Sequence, residues 1–195
     1  LSPAQIEAFY HDNFVKSQVE KFTRLVPAEH PSLRQVLDVG GGCGYFAQAL
    51  SQHTGVNVRV ADSDPASIAE CCRKGLDAQL DDALAPRIRG DEELVCFNLI
   101  LHHLVGRSES ATRQLQCQAL RAWHGHAQGI FVDEYIYDSY VGNFSGRLIY
   151  EITSSKLLSW IAGKISKVAP SLRANTFGVG VRFRSRAEWV TLFES

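Results

Sequence analysis

Three features of the sequence predict an α/β fold built on a doubly wound, mostly parallel sheet. Short apolar strands alternate with helix-patterned segments, a glycine-rich turn follows the first strand directly, and an acidic residue ends the second strand. Gln35–Val39 reads as the first strand, Val56–Ala61 as the second, Ala78–Leu80 as a weak third, Leu94–Ile100 as the fourth and Gly129–Ile136 as the fifth. Helices are predicted at Tyr45–Gln52, at Pro65–Lys74 with Asp64 as cap, and at Ser108–His124, where Ala111, Leu115, Ala119 and Trp123 recur every fourth residue. The opening Ser2-Pro3-Ala4-Gln5 fits a capping box with proline at the first helical position, and Ile6, Phe9, Tyr10 and Phe14 continue at helical spacing. Alternation of this kind implies right-handed crossovers, with ligands held outside the carboxyl ends of the strands.

After the fifth strand the pattern changes. Residues 143–168 form one long amphipathic segment (Phe144, Leu148, Ile152, Leu158, Ile161, Ile165, Val168) ended by Ala169-Pro170, which predicts a helical insertion. The organisation is therefore an N-terminal helical segment over 1–32, an α/β core over 33–136, a helical cap over 137–181 and a return to the core over 182–195. Residues 141–195 carry a net charge of +5 and the first 140 residues −6, so the cap is basic and the sheet region acidic. The sheet is expected to lack its last strands in this chain. Either residues beyond Ser195 or a partner, a homodimer among the options, would then cover its edge.

A chain of 195 residues has room for one substantial core, and its net charge of −1 gives no general attraction to nucleic acid. The five cysteines (Cys43, Cys71, Cys72, Cys96, Cys117) suit neither a disulfide framework nor CxxC metal spacing. A reducing cytoplasm is expected, with no structural metal. No run of 18 apolar residues could span a bilayer.

The chemistry concentrates in VLDVGGGCG, residues 36–44. A strand that ends in glycines and turns straight into a helix presents free backbone N–H groups and a positive dipole end, with no Cβ to hold a ligand off. Read from Gly40 as a dinucleotide fingerprint, the third small position is Tyr45 and the pattern fails. Read from Gly42 it is Ala47, a permitted variant that starts late. What stands without any shift is Asp38-x-Gly40-x-Gly42-x-Gly44. Asp62 follows Asp38 by 24 residues, one strand-helix-strand step, so both carboxylates are expected at adjacent strand ends beside the turn.

VLDVGGGCG resembles the first motif of class I S-adenosylmethionine-dependent methyltransferases, whose fold is Rossmann-like. ADSDP, LDDAL, VCFNLILHHL and FRSRAEWVTLFES resemble later segments of that family, in the same order. The resemblance covers roughly 33–135 and the last dozen residues. It implies S-adenosylmethionine as cofactor and S-adenosylhomocysteine as product. It further implies cofactor binding by Asp38, Gly40, Gly42, Gly44, by Asp62 on the ribose hydroxyls with Ser63 beside it, by Asp82 and Ala83 near the adenine (Asp81 a competing register), and by Asn98. The plain alternative for Asp82 is a capping residue, and for the glycines a tight turn.

Methyl transfer from an activated sulfonium needs positioning and exclusion of water more than acid-base machinery. A hydroxyl acceptor must still lose a proton, and a histidine suits that near neutral pH. His103 is the first candidate and His102 the second. Glu134, Tyr135, Tyr140 and Arg182 are candidates for holding the acceptor, expected to be a small apolar or anionic molecule, or a carrier-tethered acyl chain, methylated at oxygen. Arg182 and Arg184 alternate as on a strand and, with Arg147, Lys164 and Lys167, could attract an anionic acceptor; a solvated face is the plain alternative, favoured for the lysines. The tetrapeptides of nucleic-acid-methylating relatives are absent at Asn98-Leu99-Ile100-Leu101. Two other readings stay open: a nicotinamide-dependent oxidoreductase, and a non-catalytic module with the same fold.

Overall fold

A computed structural model describes residues 14–137 and 180–195. In chain order the elements are α1 (Lys16–Glu29), β1 (Gln35–Val39), α2 (Tyr45–Thr54), β2 (Asn57–Asp62), α3 (Pro65–Arg73), β3 (Ala78–Leu80), β4 (Leu94–Asn98), a short 3-10 turn (Leu101–His103), α4 (Glu109–Arg121), β5 (Gly129–Asp133) and α5 (Arg186–Phe193). The five strands form one parallel sheet in the order β3-β2-β1-β4-β5. This is the predicted doubly wound architecture, with the sequence reversing direction between β1 and β4, where such sheets open a crevice for ligands.

The chain divides into two compact units: residues through Asn98 together with Ala119–Asp133, and Leu99–Gln118 together with the chain from Glu134 onward. In the first, Val36, Val58, Val60, Leu94, Cys96 and Phe131 of the sheet share a core with Val19, Phe22 and Val26 of α1 and Phe46, Ala47 and Leu50 of α2. Each buried Val, Leu or Phe side chain among them contributes about 1.5–3 kcal/mol by leaving water. The Phe22 ring sits edge-on to Phe46 at 6.1 Å and to Phe131 at 5.4 Å, so one aromatic residue joins α1 to α2 and to the sheet. Arg59, fully buried on β2, is held by Asp91 at 2.9 Å and by Glu92. In the second unit Arg182 and Arg184, buried at 0% and 2% exposure, both engage Glu109, while Ser185 and Glu188 form a reciprocal capping box that starts α5.

Several boundaries move. β2 starts and ends one residue later than the apolar run suggests, which makes Asp62 its last residue. β4 stops at Asn98, two residues short of Ile100, because Leu99 adopts φ 55° and turns the chain. β5 ends at Asp133 rather than Ile136, and Asp133 is tied to Lys21 of α1 at 2.8 Å. Asp64 caps α3 as expected, accepting from the Ala66 and Ser67 N–H groups at 3.2 and 3.1 Å ahead of Pro65 at the first turn. Ser2–Gln5, the predicted helical insertion and Tyr140 lie outside the described residues. Among the described residues no helix is long and apolar enough to cross a membrane.

Candidate functional site

The glycine turn is built by β1 and capped by α2. Gly40, Gly42 and Gly44 take φ values of 69°, 54° and 74°, which only glycine adopts without strain, and Gly44 stands at the N-cap of α2 with no side chain covering the helix end. Gly41 is glycine for a different reason. A Cβ there would strike the Asp38 carboxylate, with Asp38 Cγ at 2.9 Å and Val60 Cγ1 at 3.1 Å. A Cβ on Gly42 would meet no atom within 4 Å, so the backbone at that position borders open space. Such a cradle offers backbone N–H groups and a helix dipole to a negatively charged or polar ligand.

Register carries Asp62 to the same place. Val39 pairs with Ala61, so Asp62 lies one residue past the end of β1, at the carboxyl edge of the sheet. Its Oδ2 accepts from the Gly42 N–H at 2.8 Å and its Oδ1 from the Asp64 N–H at 2.8 Å. The Gly40 N–H donates to the Ala61 carbonyl at 2.7 Å and fastens the start of the loop to β2. A half-exposed carboxylate is thereby oriented by two backbone donors, with each oxygen keeping a lone pair for further donors. Lys74 holds the far side of the turn, donating to the Cys43 carbonyl at 3.0 Å and resting 3.5 Å above the Tyr45 ring centroid.

Beneath the loop lies Asp38, 1% exposed. Its Oδ1 accepts from Asn98 Nδ2 at 3.0 Å, while Asp38 Oδ2 and Asn98 Oδ1, both buried, have no hydrogen-bond partner among the described residues. Burial pushes the Asp38 carboxyl up to about 7; the Asn98 hydrogen bond opposes the rise and the like charge of Asp62 adds to it. At the end of β3 the two acidic residues divide their work. Asp81 is consumed locally by Gln79 Nε2 at 2.8 Å, the Asp82 N–H at 3.0 Å and the Arg87 N–H at 3.0 Å. Asp82 is exposed and accepts from the Leu84 N–H at 2.9 Å, the capping geometry of a turn, with Ala83 beside it half-buried. Ser63 is exposed in the bend between Asp62 and α3.

A second cluster belongs to the other unit. Glu134 reaches the 3-10 turn after β4: its Oε1 accepts from the Leu101 N–H at 2.6 Å and its Oε2 lies 2.8 Å from His102 Nδ1. Both side chains are buried, at 4% and 5% exposure. A carboxylate at Nδ1 selects the tautomer with the proton there and leaves Nε2 as a base. His102 also stacks on Phe183 at 5.2 Å and lies 4.1 Å from the His103 ring and 5.5 Å from Tyr135. His103 is the exposed member; partial desolvation first, then the neighbouring His102 ring, hold it below the usual imidazole range against the pull of Glu134. Arg182 is spent within the same unit on Glu109 at 2.7 Å and Glu188 at 2.8 Å, and its N–H donates to the His102 carbonyl at 2.9 Å. Arg182, a candidate for holding the acceptor, and Arg184 beside it are buried and engaged within the unit, Arg182 by Glu109 and Glu188 and Arg184 by Glu109 and the buried Gln116.

The structure thus brings Asp38, Gly40, Gly42, Gly44, Asp62 and Asn98 together at one end of the sheet, and His102, His103, Glu134, Tyr135 and Arg182 together in the second unit. Sequence reasoning missed Gly41, legible as a third glycine in a run but masked by the x of the motif, and Phe183 and Lys74, whose roles depend on partners distant in sequence.

A family profile described as "Methionine biosynthesis protein MetW" matches residues 18–92. No curated protein sequence matches the chain. Among solved structures, the sugar N-methyltransferase KedS8 from Streptoalloteichus superposes with a TM-score of 0.57 at 18% identity, over 69% of this chain and 54% of that one. DesVI of Streptomyces venezuelae gives 0.57 at 13% identity over 73% and 61%. The SAM-bound CalS10, an amino pentose methyltransferase from Micromonospora echinaspora, gives 0.58 at 13% identity over 70% and 58%. The chain spans between 54% and 61% of the length of these three proteins, and at such identities the likeness is one of fold: the Rossmann-like fold of class I methyltransferases.

Proposed function

We propose that this chain is an S-adenosylmethionine-dependent methyltransferase acting on a small molecule. The observation that carries the proposal is the 2.8 Å bond from the Gly42 N–H to Asp62 Oδ2, which joins the glycine turn and the acidic end of β2 into one cradle at the ligand-binding edge of the sheet. The residues present fit the cofactor. Asp62 keeps acceptor capacity for a pair of ribose hydroxyls, the uncapped start of α2 offers N–H groups to a carboxylate, the buried Asp38 Oδ2 lacks a donor, and exposed Asp82 with Ala83 suits the adenine edge. Ser63 borders the ribose position. When bound, the cofactor supplies an electrophilic methyl group on a sulfonium centre.

The acceptor is read as a hydroxyl compound, methylated at oxygen. Support comes from Glu134 and His102: the buried pair leaves Nε2 able to take a proton, a device that a carboxylate acceptor would not need. In this reading His102 is the base. His103, kept largely neutral by its depressed pKa, borders the acceptor. Tyr135 and Tyr137, both exposed and flanking Phe183 at 5.9 and 6.4 Å, suit an apolar ring, and Arg182 supports the His102 backbone.

Calorimetric titration with S-adenosylhomocysteine tests the assignment, with NAD as the second arm. Saturable uptake of S-adenosylhomocysteine and none of NAD is expected. Uptake of NAD alone would make the chain an oxidoreductase, and uptake of neither would leave it a non-catalytic module.

A further inference from the structure

Asp38 is the one carboxylate of the cradle that the bonding pattern leaves incomplete. It is fully enclosed, and among the described residues one of its oxygens has no donor and the carbonyl oxygen of its neighbour Asn98 is orphaned as well. A buried ionised carboxylate with a single amide donor is poorly solvated, and a buried amide carbonyl without a donor adds a second unmet demand. Among the described residues, the groups that face Asp38 bring no positive charge. From β2 comes Asp62, from α3 the Cys71 thiol, itself pushed up to about 11 by burial, and from β4 the buried Cys96 thiol and the neutral Asn98. In the absence of a cation the protonated carboxyl persists up to neutral pH, and rotation of the Asn98 amide gives its O–H an acceptor. A ligand that brings an ammonium group to this position reverses the balance, because a cation beside the carboxylate stabilises the ionised form.

We propose that uptake of the cofactor's α-ammonium group expels a proton from Asp38, so that cofactor binding is coupled to proton release and strengthens as pH rises through neutrality. The inference rests on the cofactor assignment above and adds the protonation state of the site. In the free protein the protonated form of Asp38 is populated up to neutral pH; in the complex the carboxylate is ionised beside the ammonium, and the proton has passed to solvent. With Asp38 partly protonated near pH 7 when free and ionised when bound, affinity should rise on the order of tenfold between pH 6 and pH 8, with more proton released at pH 6 than at pH 8.

The test is titration of the full chain with S-adenosylhomocysteine in buffers of different ionisation enthalpy at pH 6, 7 and 8. Beside it run 5′-methylthioadenosine, which lacks the amino-acid arm, and Asp38→Asn, which keeps the shape and cannot ionise. The wild type should release a proton with S-adenosylhomocysteine and none with 5′-methylthioadenosine, and Asp38→Asn should lose the pH dependence of S-adenosylhomocysteine binding. Thermal melting of the unliganded variant gives a further readout. Removing a buried ionisable carboxyl should raise the melting temperature more at pH 8, where the wild-type group is charged, than at pH 6. Equal proton release with the two ligands, or affinity for S-adenosylhomocysteine that is flat from pH 6 to 8, overturns the coupling while the cofactor assignment stands. Failure of both ligands to bind overturns the assignment itself, and the coupling with it.

Discussion

Replacing Asp62 by Ala separates what the cradle does for the ligand from what it does for the fold. In the free protein the carboxylate serves two backbone donors, the Gly42 and Asp64 N–H groups, each at 2.8 Å. Both donors sit where water can reach, Gly42 half-buried and Asp64 exposed, so water takes over much of their bonding. The stability loss is then about 1 kcal/mol, a fall of roughly 2–4 °C in melting temperature for a chain of this size. The cost to binding is larger. A carboxylate bonded to ligand hydroxyls contributes charge-assisted hydrogen bonds of about 1.5–3 kcal/mol, which corresponds to roughly ten- to hundredfold weaker uptake of S-adenosylhomocysteine. Asp62→Asn should fall between, because its single carbonyl oxygen can serve Gly42 or Asp64 but not both. Calorimetric titration of wild type, Asp62→Ala and Asp62→Asn, paired with thermal melts, gives both quantities. Affinity for S-adenosylhomocysteine within twofold of wild type in Asp62→Ala, at an unchanged melting temperature, would refute the reasoning.

Further substitutions probe other parts of the molecule. Gly41→Ala drives a methyl group into the Asp38 carboxylate and Val60, and should cost about 1–3 kcal/mol in urea unfolding together with loss of cofactor uptake. Glu134→Gln retains an acceptor for the Leu101 N–H but presents an amide donor to His102 Nδ1, forcing the proton onto Nε2; kcat should fall on the order of 100-fold while S-adenosylhomocysteine affinity holds. Arg184→Met strands Gln116 Oε1, which now accepts at 2.9 and 2.8 Å, and should cost about 2 kcal/mol or more. Hydrogen exchange at the amides of residues 109–118 should report that loss, and Arg184→Lys should recover only part of it, since an ammonium cannot reproduce the fork.

Much of the fold is local, and local chemistry can be read along the chain. The strand-helix alternation, the Asp64-Pro65 start of α3 and the left-handed glycines follow from residue types over a few positions. The apolar pattern runs past the true ends of β4 and β5, through Ile100 and Leu101 and through Tyr135 and Ile136. What stops β4 is the backbone conformation of Leu99, and what draws Glu134 out of strand geometry is the 3-10 turn it serves, two features that no apolar count contains. Arg182 and Arg184 show the converse. Their alternation was plain, but burial at 0% and 2% depends on Glu109 and Gln116, some seventy residues earlier in the chain.

The sequence by itself determined the order of the elements, the glycine turn and the 24-residue interval between Asp38 and Asp62, because periodicity and backbone permissiveness act over short distances. Only the tertiary structure decided which donors those carboxylates meet. It oriented Asp62 with Gly42 and Asp64, left Asp38 enclosed beside Asn98 with an oxygen unmatched, and gave Glu134 to His102 rather than His103. Hydrogen bonding and desolvation are set by neighbours in space, and for these residues the neighbours arrive from strands and turns far apart in the chain.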